Sequence, residues 1–224
     1  MILHDVQQGT PEWHALRAGI PTSSHFSEIL TAGGKPSRSA DKLIGRCLFF
    51  WATGEPTGSA SSSFMERGLE LEEEAIGWYE ITRQVDVERV GFVTTDDGWA
   101  GCSPDGLLND FPHLPDQKYH LDSGGLEVKC PSAEVFMLAS VNPDAYAATH
   151  KQQIQGNLWI TKRKWWDLLV FNPHPKLDPV VVRVQRDVEY IELLRSAVHN
   201  VSAAIVDGKR KLGLEPLIPV EETL

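Results

Sequence analysis

Two short stretches, GCSPDGLL at residues 101–108 and GGLEVKCP at residues 124–131, decide how this chain folds. The first is short and has a turn at Pro-Asp-Gly, and the second is bounded by glycines and a proline, which predicts two neighbouring strands of a sheet. Alternate residues of a strand point to the same face, so Glu127 and Lys129 project together while Leu126 and Val128 face the opposite layer. Asp105 lies just beyond a Ser-Pro turn and reaches the same point if the two strands pair.

Charged side chains gathered at one end of a sheet are costly unless a partner compensates them. A divalent cation is such a partner, because Mg²⁺ prefers oxygen ligands and is usually held by one or two carboxylates plus water. The pattern predicts a cation site at Asp105 and Glu127, with the backbone carbonyl of Val128 as a further ligand. Lys129 is suited to orient or help deprotonate an attacking water. The alternative is an exposed strand end with an ordinary Glu–Lys pair.

Helical spacing of apolar residues, with capping and glycine stop signals, predicts four helices before these strands. They are TPEWHALRAG (10–19), TSSHFSEILTAGG (22–34), SADKLIGRCLFFWATG (39–54) and SASSSFMERGLELEEEAIGWYEIT (59–82). Strands are predicted at 85–95, 99–108, 123–131, 164–172 and 178–186, and further helices at 132–140, 144–161 and 187–207. A polar loop is expected at 109–123, and a surface segment or arm at 214–224. This succession predicts an α/β fold with a central mixed β-sheet flanked by helices.

The charge of the chain is unevenly distributed. Its 224 residues carry a net charge of −10 with 42% apolar residues, but residues 61–130 hold five basic against fifteen acidic side chains. Such a carboxylate-rich region is able to bind a divalent cation, while the balanced flanks keep their bases free for phosphates. A solubilising surface explains most acids of ELEEE equally well. The sequence shows no long apolar run and no signal-peptide pattern, and its three cysteines lack metal-site spacing, so a cytoplasmic protein with no membrane segment is expected.

The PD at 104–105 and the EVK at 127–129 together resemble the PD-(D/E)xK nuclease signature. The wider sequence is similar to the lambda-type phage exonuclease (YqaJ-like) family through PEWHALRAGIPTSS, MERGLELEEEA, GCSPDGL, LEVKCP and HKQQIQGNLWIT, in order over roughly residues 8–170. The resemblance implies a restriction-endonuclease-like core in a single nuclease domain over 1–224. Within it, 1–60 would be a helical part with a 5′-phosphate pocket, 61–170 the catalytic core, and 171–224 a strand, helix and tail.

The resemblance also implies roles for individual residues of the metal centre. Asp105 and Glu127 would bind one or two Mg²⁺ ions, with Mn²⁺ expected to substitute, and Lys129 would serve the nucleophilic water. A glutamate from the fourth helix completes the acidic site in relatives, and we place it at Glu72 with Glu70 as the competing choice. A glutamine that follows the core matches Gln153, with Gln155 as the fallback.

A second site is implied at the amino-terminal block. Arg17, Ser24 and Ser103 match positions that hold the 5′-phosphate of the strand being degraded in the family. From the residues alone, helix capping explains Thr22 and Ser24 equally well. The basic clusters KRKWW (162–166) and GKRK (208–211) are further candidates for DNA contact, although at least one of the two tryptophans is expected in the core.

The resemblance implies a Mg²⁺-dependent exonuclease that digests one strand of linear double-stranded DNA from its 5′ end and leaves a 3′ single-stranded tail. It further implies a homo-oligomer, a three-subunit ring around DNA, and a single-strand annealing protein as partner. The alternatives are a structure- or site-specific endonuclease on the same core, which needs no terminal-phosphate pocket, and a non-catalytic DNA-end-binding module, which needs no lysine at position 129.

Overall fold

A computed structural model describes residues 1–55, 57, 63–108 and 124–213, with the side chains of all of these except 63–70. The predicted loop 109–123 and tail 214–224 therefore lie outside the described residues. The helices are α1 Pro11–Arg17, a 3-10 helix Ser23–Glu28, α2 Ala40–Thr53, α3 Ser63–Arg83, α4 Ala133–Val141, α5 Pro143–Thr149, α6 Lys151–Thr161 and α7 Val188–Leu212. The strands are β1 Ile2–His4, β2 Val87–Glu88, β3 Phe92–Thr94, β4 Gly101–Cys102, β5 Gly106–Leu108, β6 Gly124–Lys129, β7 Trp165–Val170 and β8 Val180–Gln185.

The strands form two sheets. The larger has the order β2-β5-β6-β7-β8, in which β6 and β7 run parallel and the other neighbours antiparallel. The smaller has the order β1-β3-β4 and is antiparallel. The predicted α/β fold with a mixed sheet flanked by helices is confirmed.

Helices cover both faces of the five-stranded sheet. On one face, Ala75, Ile76 and Tyr79 of α3 pack in one apolar cluster with Leu126 and Val128 of β6. On the other face, α4, α5 and α6 pack against β5 and β7. Because residues alternate along β6, the packing of Leu126 and Val128 against α3 turns Glu127 and Lys129 toward α6. A third cluster joins the 3-10 helix, α2 and α7 to β3 and β4.

Two glycines let β6 lie close to two large rings of β7. A Cβ added at Gly124 would lie 2.1 Å from the ring of Trp165, and one at Gly125 would lie 2.2 Å from the ring of Trp166. Both tryptophans are buried, so the KRKWW cluster contributes two core residues. The glycine pair therefore starts β6 at a place where side chains would not fit.

The structure corrects several predicted boundaries. The predicted strand 85–95 is divided between the two sheets, as β2 and β3, and the predicted strand 99–108 is divided in the same way, as β4 and β5. In the second case Ser103 and Pro104 separate the halves, because proline cannot donate to a ladder. In the first, Gly91 lies against Val6, where a Cβ would meet the backbone oxygen at 1.7 Å. Strand β1 was not predicted.

Two predicted helices are also shorter than expected. The segment 22–34 is helical only as the 3-10 helix, because the chain turns back through a hydrogen bond from Thr31 N to Lys35 O and a bridge between Leu30 and Pro36. The predicted helix 144–161 is divided into α5 and α6 at His150. By contrast, α1 begins at Pro11 with Thr10 as its N-cap, as predicted, and Thr10 Oγ1 accepts from Trp13 N.

Candidate active site

The carboxylate of Asp105 is joined directly to the neighbouring strand. Asp105 immediately precedes β5, which pairs with β6 so that Gly106 lies opposite Leu126. Beyond that pair, Asp105 Oδ2 accepts a hydrogen bond of 2.6 Å from the backbone N–H of Val128. Since the N–H and C=O of one strand residue point to the same edge, the Val128 carbonyl faces this edge as well. The structure therefore places Asp105 beside Glu127.

Glu127 is 2% exposed and its two oxygens are held by three side chains. Oε1 accepts from Lys129 Nζ at 2.6 Å and from Gln153 Nε2 at 2.5 Å, and Oε2 accepts from Asn157 Nδ2 at 3.1 Å. Asn157 was not among the residues selected from the sequence. It follows Gln153 by four positions on α6, and this one-turn spacing is the signal that was available.

Burial, and after it the repulsion between neighbouring carboxylates, governs the electrostatics of this cluster. Burial, followed by the negative charges of Glu127 and Glu72, raises the pKa of the Asp105 carboxyl well above its ordinary value. Burial would lower the pKa of the Lys129 ammonium, but the Glu127 and Asp105 carboxylates raise it above its ordinary value. The site thus concentrates more negative charge than Lys129 compensates.

Glu72 lies at the margin of this cluster. Its Oε1 accepts a hydrogen bond of 2.9 Å from Arg89, which also bonds Glu73. Burial raises the pKa of the Glu72 carboxyl, and Glu127 contributes to the increase. The side chain of the competing Glu70 lies outside the described residues. Glu72 therefore interacts electrostatically with the buried acids, and it is also paired with Arg89.

The donor set suits a cation held mainly by water. Among the ranges the structure describes, no three His, Cys, Asp or Glu side chains group as a metal site. Two carboxylates, Asp105 and Glu127, and the Val128 carbonyl are nevertheless the oxygen ligands that Mg²⁺ uses when it keeps several waters. Burial, and after it the charges of Glu127 and Glu72, disfavours the ionised Asp105 carboxyl and raises its pKa, and a divalent cation would offset that cost. The residues present fit such an ion.

A second polar cluster surrounds Arg17 at the end of α1. Its guanidinium donates to Ser103 Oγ at 2.9 Å and to Thr22 Oγ1 at 3.5 Å, and Thr22 Oγ1 lies 3.3 Å from Ser24 Oγ. The ring of Trp13 lies 4.1 Å from the guanidinium carbon, and its indole N–H also donates to Ser103 Oγ at 3.0 Å. The three predicted residues thus lie in one connected group, and Trp13 and Thr22 are additional members.

Within the part of the chain that the structure describes, no carboxylate pairs with Arg17. Burial lowers the pKa of its guanidinium to about 10, and within the described ranges no carboxylate oxygen lies within 4.0 Å of it. A half-buried cation bonded to hydroxyl groups is suited to receive an anion. Ser103 stands two positions before Asp105, so the chain connects this cationic group directly to the acidic one.

Other candidates from the sequence have structural partners. Gln155 donates to the backbone of Gln185 and accepts from Asp187 N, away from Glu127. Arg163 is buried and donates to the carbonyls of Leu108 and Gly124. In GKRK, Arg210 and Lys211 both pair with Asp207, and the Lys209 Nζ lies 5.2 Å from the centre of the Trp51 ring.

Residues 12–164 match the family model of the YqaJ-like viral recombinase domain. The fold is similar to a crystal structure of LHK-Exo in complex with dAMP, with 26% identity and a TM-score of 0.74 over 91% of this chain and 98% of that chain. A crystal structure of an alkaline exonuclease (LHK-Exo) from Laribacter hongkongensis matches with 25% identity and a TM-score of 0.71 over the same shares. A phage related exonuclease from Haemophilus somnus 129PT shares the fold, with 17% identity and a TM-score of 0.56 over 93% of this chain and 97% of that chain.

No curated protein matches the chain. No helix in the described parts of the chain is long and apolar enough to cross a membrane.

Proposed function

The chain belongs to the YqaJ-like viral recombinase family, and from this membership and the site geometry we propose that it is a metal-dependent deoxyribonuclease. In detail, it removes nucleotides from the 5′ end of one strand of linear double-stranded DNA and leaves a 3′ single-stranded tail. The observation that carries the proposal is the convergence of Asp105, Glu127 and Lys129 at the paired ends of β5 and β6. The likeness to an alkaline exonuclease along 98% of that protein supports the same class of reaction.

Asp105, Glu127 and the Val128 carbonyl would hold Mg²⁺, with one or two ions per site and Mn²⁺ as a substitute. When bound, such an ion lowers the pKa of a water molecule and stabilises charge on the phosphodiester oxygens. Lys129 keeps its ammonium at the Glu127 carboxylate, where it orients the attacking water and offsets the added negative charge on phosphorus. Gln153 holds the same carboxylate oxygen from α6.

Glu72 contributes from the edge of the site in this proposal. Its carboxyl adds to the negative field at Asp105, but its charge is partly offset by Arg89, which also pairs with Glu73. We therefore assign Glu72 a supporting role in the acidic site, subordinate to the two buried carboxylates. We expect Glu72→Gln to lose less nuclease activity than Asp105→Asn.

Arg17, Ser24 and Ser103, with Thr22 and Trp13, would bind the phosphate at the 5′ end of the degraded strand. The proposal is supported by a half-buried guanidinium that has hydroxyl partners and no carboxylate partner in the described ranges. A pocket for a terminal phosphate close to the acids selects a DNA end and not an internal phosphodiester. This is why we favour exonuclease over endonuclease action.

The decisive experiment measures nucleotide release from linear duplexes that carry a 5′-phosphate or a 5′-hydroxyl, with Mg²⁺ and with EDTA. We expect Mg²⁺-dependent release that is faster from phosphorylated ends, and loss of this preference in Arg17→Gln. Arg195→Gln is the matched control, because it removes the same charge from an exposed ion pair on α7. Equal rates of release from both kinds of end would contradict the assignment of Arg17 to a 5′-phosphate pocket. Cutting of covalently closed circles at the same rate would indicate an endonuclease.

The role of Lys129 is tested separately by Lys129→Ala. The variant should lose about 100-fold or more in rate, as expected when a group that assists proton transfer is removed, while it still binds duplex ends. Unchanged release would eliminate the chemical role of the lysine. Binding without release in the unaltered chain would identify a DNA-end-binding module.

We also propose, from family membership, that the protein acts in the cytoplasm as a homo-oligomeric ring of three subunits and passes the 3′ tail to a single-strand annealing protein. The three free cysteines, Cys47, Cys102 and Cys130, suit a reducing compartment. Size-exclusion chromatography with light scattering tests the ring, since a monomeric mass at assay concentrations would contradict it.

A further inference from the structure

Asn157 has a contact that links it to the metal centre. It is 1% exposed on α6, and its Nδ2 donates to Glu127 Oε2 at 3.1 Å. We propose that Asn157 is a positioning residue that fixes the Glu127 carboxylate for the divalent ion. This inference rests on the proposed function, because it assumes that Glu127 binds a metal.

The orientation of the Asn157 amide follows from its partner. A carboxylate oxygen accepts hydrogen bonds, so the NH₂ group must face Glu127, since the flipped amide would bring two acceptors together. In this orientation Oδ1 is buried and has no hydrogen-bond partner among the described residues. A buried acceptor without a partner lowers stability, and an apolar side chain would avoid that cost. The contact with Glu127 is the feature that accounts for an asparagine here.

Hydrogen bonds to only one oxygen do not fix the plane of a carboxylate. The terminal torsion of glutamate is broad, so Gln153 and Lys129, which both bond Oε1, leave rotation of the group possible. Asn157 supplies a donor to the other oxygen from the next turn of the same helix. The two amides therefore hold both oxygens from one rigid element, and α6 sets the direction in which Glu127 presents its remaining lone pairs.

Groups that orient a metal ligand affect metal affinity by about 10–100-fold. We therefore expect Asn157→Ala in the full chain to weaken Mn²⁺ binding, measured without DNA by calorimetry, by about 10-fold or more. The Mg²⁺ concentration that gives half-maximal nuclease activity should rise by a similar factor, while the rate at saturating Mg²⁺ recovers to near that of the unaltered chain. A role in packing alone would lower the rate at every Mg²⁺ concentration and leave Mn²⁺ affinity unchanged.

Thr161→Val is the matched control. Thr161 is buried one turn further along α6, and its hydroxyl bonds the backbone oxygen of Asn157 without contacting Glu127. Its Mn²⁺ affinity should stay within about twofold of the unaltered chain, because a neighbouring group changes metal affinity in this way only when it holds a metal ligand. Asn157→Leu keeps the number of side-chain heavy atoms and the branch at Cγ, and it should behave as Asn157→Ala does.

Three results would overturn the inference, and they are distinguishable. Mn²⁺ affinity unchanged in the folded Asn157 variants would show that the amide does not position Glu127. Failure of both Asn157 variants to fold, with Thr161→Val folded, would show that the amide is required by the fold. Absence of Mn²⁺ binding by the unaltered chain would remove the metal centre and with it the proposed function.

Discussion

Gly156 lies between Gln153 and Asn157 on α6 and is the point where this helix meets the 3-10 helix. A Cβ added there would lie 2.5 Å and 2.7 Å from two ring carbons of Phe26, and 3.2 Å from the Cβ of Ser23. Phe26 is fully buried. Gly156→Ala therefore tests whether this contact sets the distance between the acidic cluster and the Arg17 cluster.

The size of the effect follows from these distances. Carbon atoms in contact are normally about 3.5–4.0 Å apart, so the 3-10 helix or the Phe26 ring must move by about 1 Å. Overpacking of this kind costs about 1–3 kcal/mol, whereas alanine in a helix interior is favoured over glycine by about 1 kcal/mol. We expect the free energy of unfolding to fall by up to about 2 kcal/mol as the balance of these two contributions.

The control is Gly45→Ala in the interior of α2. A Cβ added at Gly45 meets no atom within 4 Å, so the helical preference of alanine acts alone and should stabilise the protein by about 0.5–1 kcal/mol. Urea denaturation of both variants gives the comparison. The free energy of unfolding should fall in Gly156→Ala and rise in Gly45→Ala. This difference in sign is the test of the contact between Gly156 and Phe26.

The functional consequence is measured on DNA ends. Ser24 belongs to the 3-10 helix, so a shift of that element displaces part of the proposed phosphate pocket. A displacement of about 1 Å can cost up to about 100-fold in rate, and we expect that loss in kcat/KM for 5′-phosphorylated duplexes, with Mn²⁺ affinity retained. If Gly156→Ala is stabilised as much as Gly45→Ala, or keeps its preference for phosphorylated ends, the proposed coupling through this contact is wrong.

Two further predictions concern stability. Tyr79→Phe removes the hydroxyl that donates to the buried Asp167 at 2.7 Å, so urea denaturation should show a loss of about 1–3 kcal/mol, and an unchanged midpoint would contradict this. Asp187 caps α7 through Tyr190 N, and this bond, with Lys151, lowers the pKa of its carboxyl. Because the folded pKa is depressed, the stabilisation is present above about pH 4 and is lost as pH falls through the folded pKa. Asp187→Ala should therefore lower the free energy of unfolding by about 1 kcal/mol near pH 7 and by less in acid. Asp187→Asn should lower it less than Asp187→Ala, because asparagine also caps helices. An equal loss in Asp187→Ala at both pH values would contradict the predicted pH dependence.

The sequence alone predicted the features that depend on local periodicity. Alternation in 124–129 placed Glu127 and Lys129 on one face, and the structure has them in contact at 2.6 Å. Helix ends with clear signals also agree, since Gly54 follows α2 with a φ of 69°. Such signals act over a few residues, so they hold where contacts with other parts of the chain do not override them, as those contacts do at 29–34.

Features that depend on contacts between distant segments were not predictable. The strand 85–95 divides between two sheets near Gly91, which lies against Val6, and no local pattern indicates that contact. Asn157 is only one polar residue among several on a mostly buried helix until β6 is placed beside it. Its contact with Glu127 joins residues 30 positions apart, and only the packing of α6 on the sheet brings them together.

Among the described residues, the two polar clusters leave charges of opposite sign without an ion pair, although the chain links them through Ser103 and Asp105. Arg17 bonds hydroxyl groups, and Asp105 bonds a backbone N–H, so no ion pair neutralises either group within the described ranges. An ion pair between them would compensate both charges but would leave neither group free for a metal or a phosphate. A divalent cation at the acids and a phosphate at Arg17 satisfy both charges at once. The net charge of −10 repels DNA at long range, so binding in this proposal depends on these short-range contacts and on the metal.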